Sequence, residues 1–204
     1  MVGIIDYGLG NLRSVAAAVT RVGGEAVVTA DPSVLAQADK LILPGVGAFG
    51  DGMKNLHARG LVETLTQIVV VQGKPILGIC LGAQLFARES FEFGHHEGLG
   101  WLDASVVRIE PTESALRVPH VGWNDVHIAK PCVLFEGIPD HSLFYFVHSF
   151  HLRFSDDTVV VGTCEYGIPL TAVVQKGTIF ATQFHPEKSQ RCGLQLLENF
   201  IQRT

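Results

Sequence analysis

Read for the spacing of its apolar and polar positions, the first half of the chain alternates two periods. VGIID (2–6) is a short, β-branched apolar run, whereas LRSVAAAVTRV (12–22) repeats its apolar residues at helical spacing. EAVVT (25–29) and KLILP (40–44) return to the strand pattern. Between them, DPSVLAQA (31–38) opens a helix with Asp31 as N-cap and Pro32 at the first helical position, where the missing N–H costs nothing. A helical stretch follows from about Met53 to Val71, broken near Gly60, then the strand PILGIC (75–80) and a helix over LGAQLFARES (81–90). Strands separated by helices require crossover connections, which predict an α/β arrangement with a mostly parallel sheet covered by helices on both faces.

Past Trp101 the texture becomes β-rich. ASVVRIE (104–110), SLFYFVHSFHLRF (142–154), TVVVGTCEY (158–166), LTAVVQ (170–175) and TIFATQF (178–184) read as strands, with a turn at Gln175 to Gly177. They predict hairpins added to the parallel sheet. A last helix, roughly Cys192 to Gln202, places Leu194, Leu197 and Ile201 on one face. No repeat, low-complexity segment or Pro/Ser-rich linker interrupts the chain. The change near residue 100 is therefore read as a change of sheet type within one domain spanning 1–204.

Composition narrows the classes of function. At 204 residues, 47% hydrophobic and 17% charged, the chain can bury a sizeable core. No apolar run approaches the roughly 18 residues that span a bilayer, and the start MVGIIDYG has no secretory pattern, so a cytoplasmic location is expected. The net charge of -5, without a Lys/Arg cluster, favours neither nucleic acid nor a membrane as partner. Cys80, Cys132, Cys164 and Cys192 are too far apart in sequence for a CxxC pair, and disulfides are not expected in a reducing compartment.

PGVGAFG (44–50) contains a literal G-x-G-x-x-G, at Gly45, Gly47 and Gly50. A dinucleotide fingerprint should follow the first strand and precede an acidic residue about 20 positions on. This loop follows the third strand, and the window from Gln67 to Lys74 has no Asp or Glu. The first strand's own turn, YGLGN, has Arg13 where a third glycine belongs. A nucleotide-binding module remains an alternative, but a poorly matched one.

GICLGAQ (78–84) sets Gly78 and Gly82 two positions either side of Cys80, between a strand and a helix. This is the small-x-nucleophile-x-small pattern of a nucleophile elbow, whose strained turn leaves no room for flanking side chains. Cys80 would sit at a helix N-terminus, where the dipole favours thiolate. Such a cysteine needs a base. Of nine histidines, His185 alone ends a strong strand and is followed by Pro186 and Glu187, so that Glu187 can fold back and fix the imidazole tautomer. Cys80, His185 and Glu187 are the candidate catalytic residues. His95, His96 and Glu97 lack a third ligand by spacing, so no metal or other cofactor is expected; His148 and His151 read as strand residues, and Cys132, Cys164 and Cys192 as structural.

PGVG, GICLGAQ and QFHPEKS, in this order over nearly the whole chain, resemble the class I (triad) glutamine amidotransferases. Within that family, DYGLGN, VGWN (121–124) and FVHSFH (146–151) are similar to the glutaminase subunits of imidazole glycerol phosphate synthases of histidine biosynthesis. The resemblance implies a flavodoxin-like fold that hydrolyses L-glutamine through a γ-glutamyl thioester on Cys80. It implies oxyanion donors at Val46, Gly47 and Leu81 and substrate contacts from Gln84, Glu92, Ser149 and Phe150. It also implies ammonia transfer to a (β/α)8-barrel cyclase partner, for which Asn11 and Trp123 are candidate interface residues. The other readings are a glutaminase subunit of a different synthase, such as pyridoxal phosphate synthase, and a stand-alone cysteine hydrolase.

Overall fold

A computed structural model describes all residues, 1–204. In chain order its strands are β1 (Val2–Ile5), β2 (Ala26–Thr29), β3 (Lys40–Gly45), β4 (Ile76–Cys80), β5 (Glu89–Ser90), β6 (His96–Glu97) and β7 (Ala104–Arg108). They continue with β8 (His120–Ile128), β9 (Ser142–His148), β10 (Phe150–Phe154), β11 (Val160–Glu165), β12 (Pro169–Lys176) and β13 (Ile179–Thr182). The helices are α1 (Leu12–Arg21), α2 (Pro32–Gln37), α3 (Phe49–Ala58), α4 (Leu61–Thr66), α5 (Leu81–Gln84) and α6 (Gln190–Arg203). No helix is long and apolar enough to cross a membrane.

Nine strands form one sheet in the order β2-β1-β3-β4-β13-β12-β11-β8-β9. The pairs from β2 to β13 are parallel and the rest antiparallel, so the expected change of sheet type is a continuation of one sheet. A smaller sheet runs β10-β7-β5-β6. Strand alternation splits the core between the two faces. Ile5, Leu41, Leu43 and Ile76 pack with α3 and α4 residues such as Phe49 and Leu65. Ile4, Ile42, Leu77 and Ile79 pack on the other face with Val15, Val19, Leu196 and Phe200 of α1 and α6.

The order of the parallel strands begins 2-1-3-4, the flavodoxin-like sequence, in which ligands bind beyond the carboxyl ends of the strands. Gly45 and Cys80 are register partners at those ends of β3 and β4, and His185 follows β13 at the same end. The sheet thus collects the residues singled out from sequence on one edge.

Several element boundaries differ from the sequence expectation. Asp31 does cap α2, accepting from Ser33 N at 2.8 Å. The long helix begins at Phe49 rather than Met53, and a π-helical turn over Gln67–Val71 ends it. The helix expected over 81–90 lasts only one turn. Leu85, Phe86 and Ala87 are fully buried, and the chain then enters β5, which pairs with β7; side chains buried on all sides replace the one-faced helix. SLFYFVHSFHLRF is two strands in different sheets, parted at Ser149. VGWN, unassigned from sequence, lies in β8. In α6 the buried stripe is Gly193, Leu196, Leu197 and Phe200, while Leu194 and Ile201 sit at its margins.

Candidate active site

The elbow is formed by close packing that only glycine permits. Cys80 has φ 55° and ψ -112°, a backbone state that ordinary residues avoid. A Cβ on Gly82 would lie 1.8 Å from the Leu43 carbonyl oxygen, and one on Gly78 would lie 2.7 Å from Ala83 Cα. Both flanking positions therefore have a steric reason to be glycine. The thiol is 7% exposed and opens into a cavity of about 430 Å³ that His185 also lines. α5 has only four residues, so its dipole is small; the unpaired amides of its first turn, Leu81 among them, are the polar groups it offers.

His185 and Glu187 meet as the sequence predicts. His185 Nδ1 donates to Glu187 Oε1 at 2.8 Å, with the two side chains 2% and 1% exposed. His185 Nε2 has no hydrogen-bond partner, and the Cys80 thiol donates instead to Val147 O at 3.9 Å, so the imidazole nitrogen is unclaimed on the cavity side. Burial of the ring opposes its charge, but the nearby Cys80 sulfur and the hydrogen-bonded Glu187 carboxylate raise the imidazole to about 9. The turn that holds it is tied twice to its neighbours: His185 N donates to Tyr145 O at 2.9 Å, and Ser189 Oγ donates to His185 O at 2.6 Å.

Val46, Gly47, Leu81, Gln84, Glu92, Ser149 and Phe150 all line the same cavity, so the structure gathers every oxyanion and substrate candidate around Cys80. Gly47 has φ 102° and open space where a Cβ would stand. Glu92 Oε2 accepts from Phe49 N at 2.6 Å, capping α3, whose own N-cap, Ala48, has no side chain to do so. One carboxylate thus ties the 91–95 loop to the glycine loop and still offers a second oxygen. Gln84 Nε2 donates to Phe150 O at 2.9 Å and Gln183 Oε1 at 3.0 Å, fixing its amide.

Sequence reasoning missed several residues here. Gln183 is buried, and its Nε2 donates to Cys80 Sγ at 3.8 Å; a polar residue inside the apolar run TIFATQF was the available signal. His148, Pro119 and Lys188 also line the cavity. His148 Nδ1 donates to Phe150 O at 2.8 Å, so its Nε2 must accept from His120 Nδ1, 3.0 Å away. Burial lowers His120 to about 4 and His148 to about 3, so both are neutral near pH 7.

The remaining candidates lie apart. Asn11 stands at the N-cap of α1 without a capping side-chain bond, and Trp123 is 45% exposed rather than a core aromatic. His95 pairs with Glu89, and the His96 ring packs against Phe49 and Gly50. His127, Asp140 and His141 bring ligand-type atoms within 4.8 Å of one another, but all three are exposed, and each imidazole is already paired with a carboxylate. The four cysteines are all free.

An elbow-held thiol, an imidazole oriented by a buried carboxylate and a facing amide-rich loop, on the carboxyl edge of a parallel sheet, define a thiol-dependent α/β hydrolase site. The chain belongs to the glutamine amidotransferase class-I family, whose model matches residues 3–203. It is 50% identical to imidazole glycerol phosphate synthase subunit HisH 1 of Campylobacter jejuni, over 98% of this chain and 99% of that one. It is likewise 50% identical to subunit HisH of Syntrophotalea carbinolica, over 98% of each chain. Among solved structures, a glutamine amidotransferase shares the fold with a TM-score of 0.73 at 24% identity, covering 98% of both chains.

Proposed function

We propose that this chain, acting as one domain over its whole length, is the glutaminase subunit of an imidazole glycerol phosphate synthase. It hydrolyses L-glutamine to glutamate and ammonia and passes the ammonia to a cyclase subunit for histidine biosynthesis in the cytoplasm. The observation that carries this reading is the shared cavity of Cys80 and His185, with Glu187 behind the imidazole.

The chemistry follows from that placement. The Cys80 thiolate attacks the side-chain amide carbon of glutamine, and the carbonyl electrons move to oxygen, where the amides of Val46, Gly47 and Leu81 receive them. Imidazolium at His185 donates its proton to the departing nitrogen, the C–N bond breaks, and ammonia leaves a γ-glutamyl thioester. Water then attacks the thioester, His185 takes its proton, and the C–S bond breaks to give glutamate and the free thiolate. Glu187 holds the ring, Gln84 and Glu92 contact the substrate through their side chains, and Ser149 and Phe150 through their backbone.

A partner seated at the cavity mouth would keep ammonia from water, where it would be protonated and lose its nucleophilicity. β8 and β9 offer a surface for it: Val121, Trp123, Leu143 and Val147 are exposed on the outward face of this pair, and Val147 also lines the cavity. We assign this face, with Trp123 on it, to a (β/α)8-barrel cyclase subunit, and take Asn11, at the N-cap of α1, as a further candidate contact. Glutamate release from glutamine, measured with and without the cyclase subunit and its ligand, tests the reading. Release that depends on Cys80 and rises with the cyclase supports it; release unaffected by the cyclase would point to a stand-alone hydrolase.

A further inference from the structure

Beside this site lies one buried polar group that the chemistry above does not use. Tyr7, just past β1, is completely buried with Phe49 and Leu81, yet its hydroxyl has no hydrogen-bond partner. Leaving a buried hydroxyl unpaired costs about 1–3 kcal/mol. A phenylalanine would fill the same space without that cost, so the hydroxyl calls for a state in which it is paired.

Its position indicates that state. A Cβ built on Gly45 would lie 2.5 Å from Tyr7 Oη, 2.6 Å from Gly82 N and 2.8 Å from Leu81 Cβ. The hydroxyl therefore rests against the first residue of the glycine loop, on the side where the elbow packs. Gly45 is clamped, but the chain beyond it is free: Val46 is 40% exposed, and Gly47 has open space around its α-carbon. Burial, reinforced by the charge of Cys80, holds the phenol well above its usual range, so it stays a neutral donor. Across a planar trans peptide, N–H and C=O point in opposite directions. Turning the Val46 N–H toward the cavity turns the Gly45 carbonyl away from it.

We propose that Tyr7 is a positioning residue for the oxyanion loop. Its hydroxyl donates to the Gly45 carbonyl when the Gly45–Val46 peptide presents the Val46 N–H to the substrate oxygen. The inference rests on the glutaminase reading above and adds to it a residue that selects the active orientation of the loop.

The test is Tyr7→Phe, assayed in complex with the cyclase subunit and its ligand beside the wild-type complex. Three quantities are read: kcat and KM for glutamine, thermal stability of the isolated subunit, and inhibition by glutamate γ-semialdehyde. That aldehyde accepts the Cys80 sulfur at its carbonyl carbon and the thiol proton at its oxygen, which then occupies the oxyanion position. The expected result is a kcat lowered about tenfold or more, with aldehyde inhibition weakened by a similar factor. KM should stay within about twofold, and stability should equal or exceed wild type because an unpaired group has been removed. Unchanged kcat and inhibition would overturn the proposal, and so would a destabilised or unfolded variant, which would show the hydroxyl already paired in the resting fold. A wild-type complex that releases no glutamate would instead remove the glutaminase reading itself.

Discussion

His185 Nδ1 and Glu187 Oε1 stand 2.8 Å apart with both side chains almost sealed from solvent, so the carboxylate acts on the imidazole at nearly full strength. The neighbouring Cys80 and the hydrogen-bonded Glu187 outweigh the burial of the ring and raise it to about 9. If His185 delivers the proton to departing ammonia, kcat/KM falls on the alkaline side as the ring deprotonates near 9. In Glu187→Gln the carboxylate is gone, the imidazole titrates lower, and the alkaline limb moves to lower pH. Turnover at pH 8 should drop by roughly one to two orders of magnitude. A pH–rate profile of both proteins decides this, and an unmoved limb would remove Glu187 from the proton's control. The raised value has a second consequence: His185 stabilises the fold fully below its unfolded value of 6.5, and that contribution is lost as pH rises through about 9.

The parts of this site that local sequence encodes were readable, and the parts that depend on distant packing were not. Cys80 announces itself because a strained elbow needs small residues on both sides of it within five positions. His185 and Glu187 do so because proline fixes the bend between them. Gln183 and Tyr7 gain their meaning from Cys80 and Gly45, which are remote in the chain, and no spacing rule joins them. The one-turn α5 failed for a related reason. LGAQLFA has helical composition, but Phe86 and Ala87 are fully buried, with Phe86 stacked on Trp101 and packed against Gly78, and tertiary burial overrides propensity. Of the exposed apolar residues on the β8–β9 face only Trp123 was singled out from sequence; Val121, Leu143 and Val147 alternate on the outside, where they look like core positions.

Two glycines near the thiol should respond differently to the same substitution. In Gly82→Ala the new methyl would meet the Leu43 carbonyl oxygen at 1.8 Å, a backbone atom in the central sheet that cannot give way. The expected loss exceeds about 4 kcal/mol, seen as insoluble protein or a collapsed melting temperature. In Gly47→Ala the methyl meets nothing, and the cost is the backbone strain of φ 102°, roughly 1–3 kcal/mol. That variant should fold and bind glutamine, yet lose turnover by about two orders of magnitude as the loop shifts its amides. Denaturant melts alongside glutaminase assays separate the two; a well-folded Gly82→Ala would contradict the packing described for the elbow.

His120 and His148 form a neutral hydrogen-bonded pair behind the Phe150 carbonyl, and acid should break it. Burial holds His120 at about 4 and His148 at about 3, well below the 6.5 of the unfolded chain. Below 6.5 the unfolded chain therefore binds protons that the folded one refuses. Stability falls as pH drops from about 6.5 towards 4, with the slope set by that difference in bound protons. In His148→Gln one of the two groups no longer titrates, and the amide can still donate to Phe150 O and accept from His120. The stability–pH curve of that variant should be shallower across this window than that of wild type. Equal slopes would mean that His148 is already charged in the folded state.

Trp123 separates the role of the outer β8–β9 face from that of the fold. It is 45% exposed and packs edge-to-face on Tyr145 at 5.9 Å between ring centres, so truncation leaves no cavity in the core. Trp123→Ala should change the melting temperature of the isolated subunit little. Exposed aromatic residues at the centre of an apolar patch commonly contribute about 2 kcal/mol or more to association, or roughly 30-fold in Kd. Affinity for the cyclase subunit, measured by titration calorimetry, should weaken by that order, and cyclase-stimulated glutaminase activity at limiting cyclase should fall with it. At saturating cyclase the activity should recover, because Trp123 is not among the residues lining the Cys80 cavity. Unaltered affinity would move the docking surface elsewhere, while lost activity that saturation cannot restore would mean that Trp123 acts on the site rather than on assembly.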